Sequence, residues 1–131
     1  MEIKIRKIPR SENNSLNIKN GMAYWSEDLL TLRDFIVAEV NNEVVGFVTY
    51  VDKSIHEPTS LGVSVITVHQ DFQGKGIARS LIDEVFNQAW LFGQDIRVSP
   101  FSPEGDLKVK HIFYEISEST GIKFRYNKNP S

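Results

Sequence analysis

The run Gln73-Gly74-Lys75-Gly76-Ile77-Ala78-Arg79 has the residue types and spacing to hold a phosphate. It lies between the β-branched stretch LGVSVITV, read as a strand, and IARSLIDEV, read as the start of an amphipathic helix. That order sets several backbone N–H groups at the positive end of a helix dipole, with two glycines keeping bulky side chains out of their way. Each N–H donated to a charged oxygen contributes on the order of 1.5 to 3 kcal/mol net, so three or four could hold a pyrophosphate by geometry more than by net charge. The spacing excludes a nucleoside-triphosphate P-loop, because Gly76 is followed by Ile77 where Gly-Lys-Ser/Thr is required. A dinucleotide fingerprint would place a third glycine at 79, where this chain has Arg79. The remaining alternative is a tight strand-to-helix turn with no ligand.

The elements that must position this turn are legible from hydrophobic period. Ile3, Ile5 and Ile8 predict a first strand ended by Pro9. Residues 11–33 are polar and broken by asparagines and Gly21, with a short helix expected only in their second half, around Trp25, Leu29, Leu30 and Leu32 and capped by Ser26. DFIVAEV and EVVGFVTYV around Asn41-Asn42 predict a hairpin, since asparagine tolerates the left-handed backbone of a tight turn. SIHEPTS reads as a loop before the LGVSVITV strand. From Ile77 the apolar residues fall at 77, 78, 81, 82, 85, 86, 89 and 90, one face of a helix that Gly93 should stop. DIRVSPF is expected as a strand, SPEGD as a loop with Asp106 capping a helix over 107–120, and IKFRY as a last strand. SVITV and FIVAEV could be aggregation-prone as edges, but as central strands they are simply core.

With 131 residues the chain has the length of one domain with one core, spanning 1–131. Apolar residues make up 40% and charged residues 24%, which fits a soluble globular protein and excludes disordered or fibrous classes. A net charge of −2 supplies no basic field for nucleic acid, so no nucleic-acid partner is expected. The absence of cysteine excludes disulfides, thiolate metal sites and cysteine nucleophiles. No apolar run approaches the roughly 20 residues of a membrane span and the N-terminus lacks a signal peptide's apolar core, so the expected setting is cytoplasmic, with no membrane partner. No histidine or carboxylate cluster has ligand spacing, so no metal site is expected.

The stretch Val68-His69-Gln70-Asp71-Phe72-Gln73-Gly74-Lys75-Gly76-Ile77-Ala78 resembles the acyl-CoA-binding motif of the GNAT superfamily of N-acetyltransferases, whose core is Gln/Arg-x-x-Gly-x-Gly/Ala. Gln73, Gly76 and Ala78 match it, and the order of elements over most of the chain is similar to that fold. The resemblance implies an α/β fold with a mixed, mostly antiparallel sheet flanked by helices, two of whose strands splay into a V-shaped cleft for CoA. It implies that Gln73, Gly74, Lys75, Gly76, Ile77, Ala78 and Arg79 hold the CoA pyrophosphate, and that the main chain of Ile66 and Val68 pairs with the pantetheine arm. The implied activity is transfer of an acetyl group from acetyl-CoA to a primary amine of a small molecule or peptide by direct attack; a homodimer is compatible with this reading.

Such a transfer needs a proton donor for the departing thiolate. Phe113-Tyr114-Glu115, followed by Gly121-Ile122-Lys123-Phe124, resembles the family's Tyr-Glu-Lys-x-Gly-Phe segment, with a longer spacing to the glycine. Tyr114 also lies off the helix face of Val109, Ile112, Phe113 and Ile116, which makes it the candidate general acid, with a surface or dimer-contact tyrosine as the alternative. Deprotonating the amine is harder to assign. The family often carries a glutamate on the motif strand, but LGVSVITV offers only Ser64 and Thr67, neither basic enough. Glu39 on the hairpin and His56 and Glu57 in the following loop are candidates for the base, against the common case of solvated side chains. His69 reads as structural, and His111 sits on a helix flank. Tyr24 and Trp25 could border an acceptor pocket, or pack. The missing carboxylate also leaves open a rival reading, an acyl-CoA-binding sensor or scaffold with little turnover.

Overall fold

The computed structural model describes residues 2–8, 16–23, 25, 34–51, 59–98 and 103–126, the side chains of 103–108 and 126 excepted. The expectations placed on Pro9, Tyr24, the 26–32 helix, His56, Glu57 and Pro100 lie outside the described residues. Six strands form one sheet in the order of the chain. They are β1 (Lys4–Ile8), β2 (Asp34–Val40), β3 (Glu43–Val51), β4 (Ser60–Val68), β5 (Asp95–Val98) and β6 (Phe124–Tyr126), with helix α1 (Ile77–Phe92) between β4 and β5 and α2 (Pro103–Thr120) between β5 and β6.

The first four strands run antiparallel and the last two join in parallel. The β2–β3 turn is the one read from Asn41-Asn42: both take positive φ, 52° and 65°, which is the two-residue hairpin turn whose twist matches its strands. Parallel pairing cannot be made by a hairpin, so α1 and α2 serve as crossovers. Both pack on one face of the sheet, where Ile36, Val48, Leu61, Val63, Ile96 and Val98 meet Leu81, Ile82, Phe86, Ile112, Phe113 and Ile116 in a single apolar cluster. On the other face Ile8, Phe35, Val37, Val44 and Phe47 form a second cluster, closed by Leu16, Ile18, Met22 and Trp25. Trp25 stacks obliquely on Phe35 and edge-on to Phe47, so its role here is packing.

Two boundaries differ from the sequence reading. The helix expected over 107–120 begins a turn earlier at Pro103, so Asp106 lies inside it and cannot be its N-cap. Proline suits the first helical position because its missing N–H has no intrahelical acceptor there anyway. The last strand is shorter than IKFRY, since Ile122 buries its side chain before pairing starts at Phe124. On α1 the apolar face runs as expected up to Ala89, but Trp90 is 70% exposed, beside exposed Leu91 and Phe92. Gly93 ends the helix in left-handed conformation, donating its N–H to the carbonyls of Ala89 and Trp90. No helix among the described residues is long and apolar enough to cross a membrane.

Candidate active site

The candidate site lies where two strands that begin as neighbours lose their pairing among the described residues. Within those residues β4 pairs with β5 from Ser60↔Asp95 to Val63↔Val98, while β4 continues to Val68. The parting coincides with a bulge. Thr49 of β3 opposes Val65 and Tyr50 opposes Val63, which leaves Ser64 as the extra residue on β4. A bulge bends its strand and raises the local twist, and this one sits where the described β4–β5 ladder ends.

Beyond the bulge, the two edges of β4 have different fates. The N–H of His69 donates to the Val45 carbonyl, which fixes His69 and, by alternation, Thr67 toward β3. Ile66 and Val68 therefore present their main-chain groups to the other edge, where no strand among the described residues pairs with them. Their side chains join the helix-covered core, whereas Val65 packs on the opposite face. Thr67 alternates with them onto that opposite face, and its buried hydroxyl has no hydrogen-bond partner among the described residues.

The end of β4 is locked to the turn by two side chains. Gln73 donates its amide to the Val68 carbonyl at 3.2 Å. His69, only 4% exposed, donates from Nε2 to the Asn20 carbonyl at 2.8 Å and accepts at Nδ1 from the Asp71 N–H at 3.1 Å. With both ring nitrogens engaged this histidine is a structural bracket between the turn and Asn20, as the sequence reading expected.

The turn itself takes the shape a phosphate site needs. Gly74 and Gly76 adopt φ of 78° and 80°, conformations an L side chain resists, and Gly76 is the N-cap of α1. A Cβ built on either would meet nothing within 4 Å, so open space lies over the backbone there. Ser80 makes the first return bond of the helix, its N–H donating to the Gly76 carbonyl at 3.1 Å. The amides of Ile77, Ala78 and Arg79 precede it and are the orphan donors of the helix start. Lys75 is exposed beside them, while Ile77 is buried and anchors the first turn in the core.

Arg79 points across to α2, where its guanidinium bonds the Glu115 carboxylate at 2.6 Å. The hydrogen bond and the charge of Arg79 lower the Glu115 pKa, and the same contact raises that of Arg79. Glu115 was not foreseen as part of the site; only the four-residue offset from His111 hinted that this helix face carried charge. Its neighbour Tyr114 is 52% exposed, with its ring edge-on to Phe124 at 4.8 Å, off the buried face as expected. Glu39 is not brought to the gap. It is paired with Arg6 of β1 and lies on β2, with β3 between it and β4. Among the described residues no group of histidines and carboxylates could hold a metal.

A parallel pair whose described ladder ends at Val63↔Val98, a bulge on the longer strand and a glycine turn capping the crossover helix meet at one end of the sheet. The model of the acetyltransferase (GNAT) domain family matches residues 31–116, about two thirds of the chain. The chain belongs to the GNAT acetyltransferases. The class of reaction is therefore acetyl transfer. A search among curated proteins finds no significant match. Among solved structures, this GNAT chain is similar to a diaminobutyrate acetyltransferase from Paenibacillus lautus in complex with L-2,4-diaminobutyric acid and coenzyme A, with TM-score 0.67 and 19% identity over 92% of this chain and 77% of that one. It is also similar to a ribosomal-protein-alanine N-acetyltransferase from Brucella melitensis, with TM-score 0.63 and 25% identity over 86% and 90%. A GNAT family acetyltransferase from Elizabethkingia anophelis with acetyl-CoA bound superposes with TM-score 0.61 and 19% identity over 85% and 74%.

Proposed function

We propose that this acetyltransferase moves the acetyl group of acetyl-CoA to a primary amine of a small molecule or peptide by direct attack, in a cytoplasmic setting. The observation that carries the reading is the glycine turn: orphan amides at the start of α1, under open space, at the end of a β4 edge that no strand among the described residues pairs. In this reading the N–H groups from Gly74 to Arg79 hold the pyrophosphate, with Lys75 and the Arg79 guanidinium adding charge. The main chain of Ile66 and Val68 takes the pantetheine arm as an added strand. Gln73 serves indirectly, bracing the turn against Val68.

Bound acetyl-CoA supplies the thioester that the amine attacks. A lysine-like amine with a pKa near 10.4 is only about one part in 2500 neutral at pH 7, so freeing its lone pair costs about 4.6 kcal/mol. With Glu39 engaged elsewhere, water at the open end of the gap is the proton acceptor this reading requires. A main-chain N–H on the free edge of β4 is suited to the oxygen that becomes negative during attack. Tyr114 gives its hydroxyl proton to the departing sulfur.

Titration with acetyl-CoA and with CoA tests the seat: saturable binding is expected, and none in a folded sample would return the turn to a purely structural role. Tyr114→Phe keeps the ring on Phe124, so CoA affinity and thermal stability should stay within about twofold and a degree or two, while kcat falls by roughly 10²-fold. An unchanged kcat would remove Tyr114 from the mechanism.

A further inference from the structure

A second irregularity in the sheet lies beside the glycine turn. The β2–β3 ladder pairs Ala38 with Gly46 and Glu39 with Val44, which leaves Val45 as an extra residue on β3. Such a bulge breaks the alternation of faces, and here it sets two consecutive residues toward the helices. Val45 packs in the helix-covered core, and Gly46 lies under Ile77 and Leu81 of α1. The Val45 carbonyl accepts the His69 N–H, and Gly46 is the register partner of Val68, whose own carbonyl holds Gln73. The bulge is therefore fastened to the place where β4 ends and the turn begins.

Gly46 is required there by space rather than by backbone conformation. A Cβ on it would come 3.1 Å from the Thr67 carbonyl oxygen, 3.2 Å from Cγ2 of Ile77 and 3.5 Å from Cδ1 of Leu81. The first two are closer than a methyl group settles, so a side chain at 46 would push on both neighbours. Each neighbour belongs to a different half of the candidate site. Ile77 is the first residue of α1, and its N–H is one of the orphan amides. The Thr67 carbonyl belongs to the trans peptide unit whose N–H, on Val68, points to the opposite edge of β4. A glycine inside a strand marks a close approach of backbone to backbone. Here the segments that approach are the two that one cofactor would touch at once.

We propose that Gly46 is a positioning residue for acetyl-CoA. By leaving room for α1 to settle against β3 and β4, it sets the spacing between the amides that take the pyrophosphate and the strand edge that takes the pantetheine arm. The inference rests on the acetyl-transfer reading of that site. A ligand held at both ends of a rigid site is sensitive to displacements of about half an ångström, whereas a ligand held at one end follows the group that holds it.

The test is titration of CoA into folded protein, with Gly46→Ala made in two backgrounds. In the unaltered chain Gly46→Ala should raise the CoA dissociation constant by about fivefold or more. In an Ile77→Ala background Cγ2 is gone and the new methyl has space, so the same change should raise it by less than about twofold, the non-additivity of two groups in contact. ADP, titrated as a competitor of CoA, engages the turn alone, and its affinity should change by less than about twofold in Gly46→Ala. A CoA affinity that stays within twofold in Gly46→Ala, an equal loss in both backgrounds, or an equal loss for ADP and CoA would overturn the proposal. Should Gly46→Ala not fold by itself, Ile77→Ala and the double variant decide: CoA affinities within twofold of each other support the spacing role, and a larger loss overturns it. An unaltered protein that binds no CoA would instead strike the acetyl-transfer reading.

Discussion

At the scale of single residues, the site turns on who holds Arg79. Its guanidinium has five donors, and one terminal nitrogen is committed to Glu115 across the two helices. In the proposed complex a polyanion at the α1 start competes for the same cation and is repelled by the Glu115 carboxylate. Glu115→Gln should therefore tighten CoA binding several-fold and steepen its salt dependence, measured by titration at two ionic strengths. The pair's own effect on stability is small, as expected for two groups open to solvent. Its sign with pH is nonetheless defined: the Glu115 pKa is lowered from 4.5, so the pair contributes above that value and is lost as pH falls through the lowered one. Any stability gap between the unaltered protein and Glu115→Gln should be present at pH 7 and close below about pH 4.5. Gln73, Gly74, Gly76 and Arg79 were legible as a group because they are contiguous. Glu115 was not, because it acquires its meaning from Arg79, 36 positions away.

At the scale of elements, the β4–turn–α1 unit carries the architecture of the site. Period alone places it, since β-branched alternation ends at Val68 and helical spacing begins at Ile77. Gly76→Ala isolates the turn: with no atom within 4 Å of the new methyl, its cost is backbone strain, about 1 to 2 kcal/mol at positive φ. A urea midpoint lowered by that amount, with an unchanged slope, is expected, together with weaker CoA binding as the amides are re-aimed. Stability loss without loss of affinity would mean that the amides do not hold the cofactor. The α2 start shows the limit of local reading. Gly105 and Asp106 look like loop residues, yet the helix runs through them from Pro103.

At the scale of the whole molecule, the candidate site lies where a sheet that pairs antiparallel on one side of β4 changes to parallel crossovers on the other. A ligand bound there couples to global stability by mass action. At a CoA concentration of 100 times the dissociation constant the gain is about 2.7 kcal/mol, which for a chain of this size raises Tm by roughly 10 °C. A thermal scan with CoA, and with pantetheine as the arm lacking phosphates, checks this; most of the shift should need the phosphates. What the sequence by itself determined was everything carried by neighbours along the chain: the strands, the Asn41-Asn42 turn, the amphipathic α1 stopped by Gly93, and the phosphate-shaped turn. What only the tertiary structure decided were relations between distant segments. Arg6 came to hold Glu39 because β1 pairs beside β2, and Ser64 became a bulge because β3 fixes the register. The physical reason is that backbone conformation is set by side chains a few residues apart, whereas charge pairing and strand register are settled by whichever elements pack together.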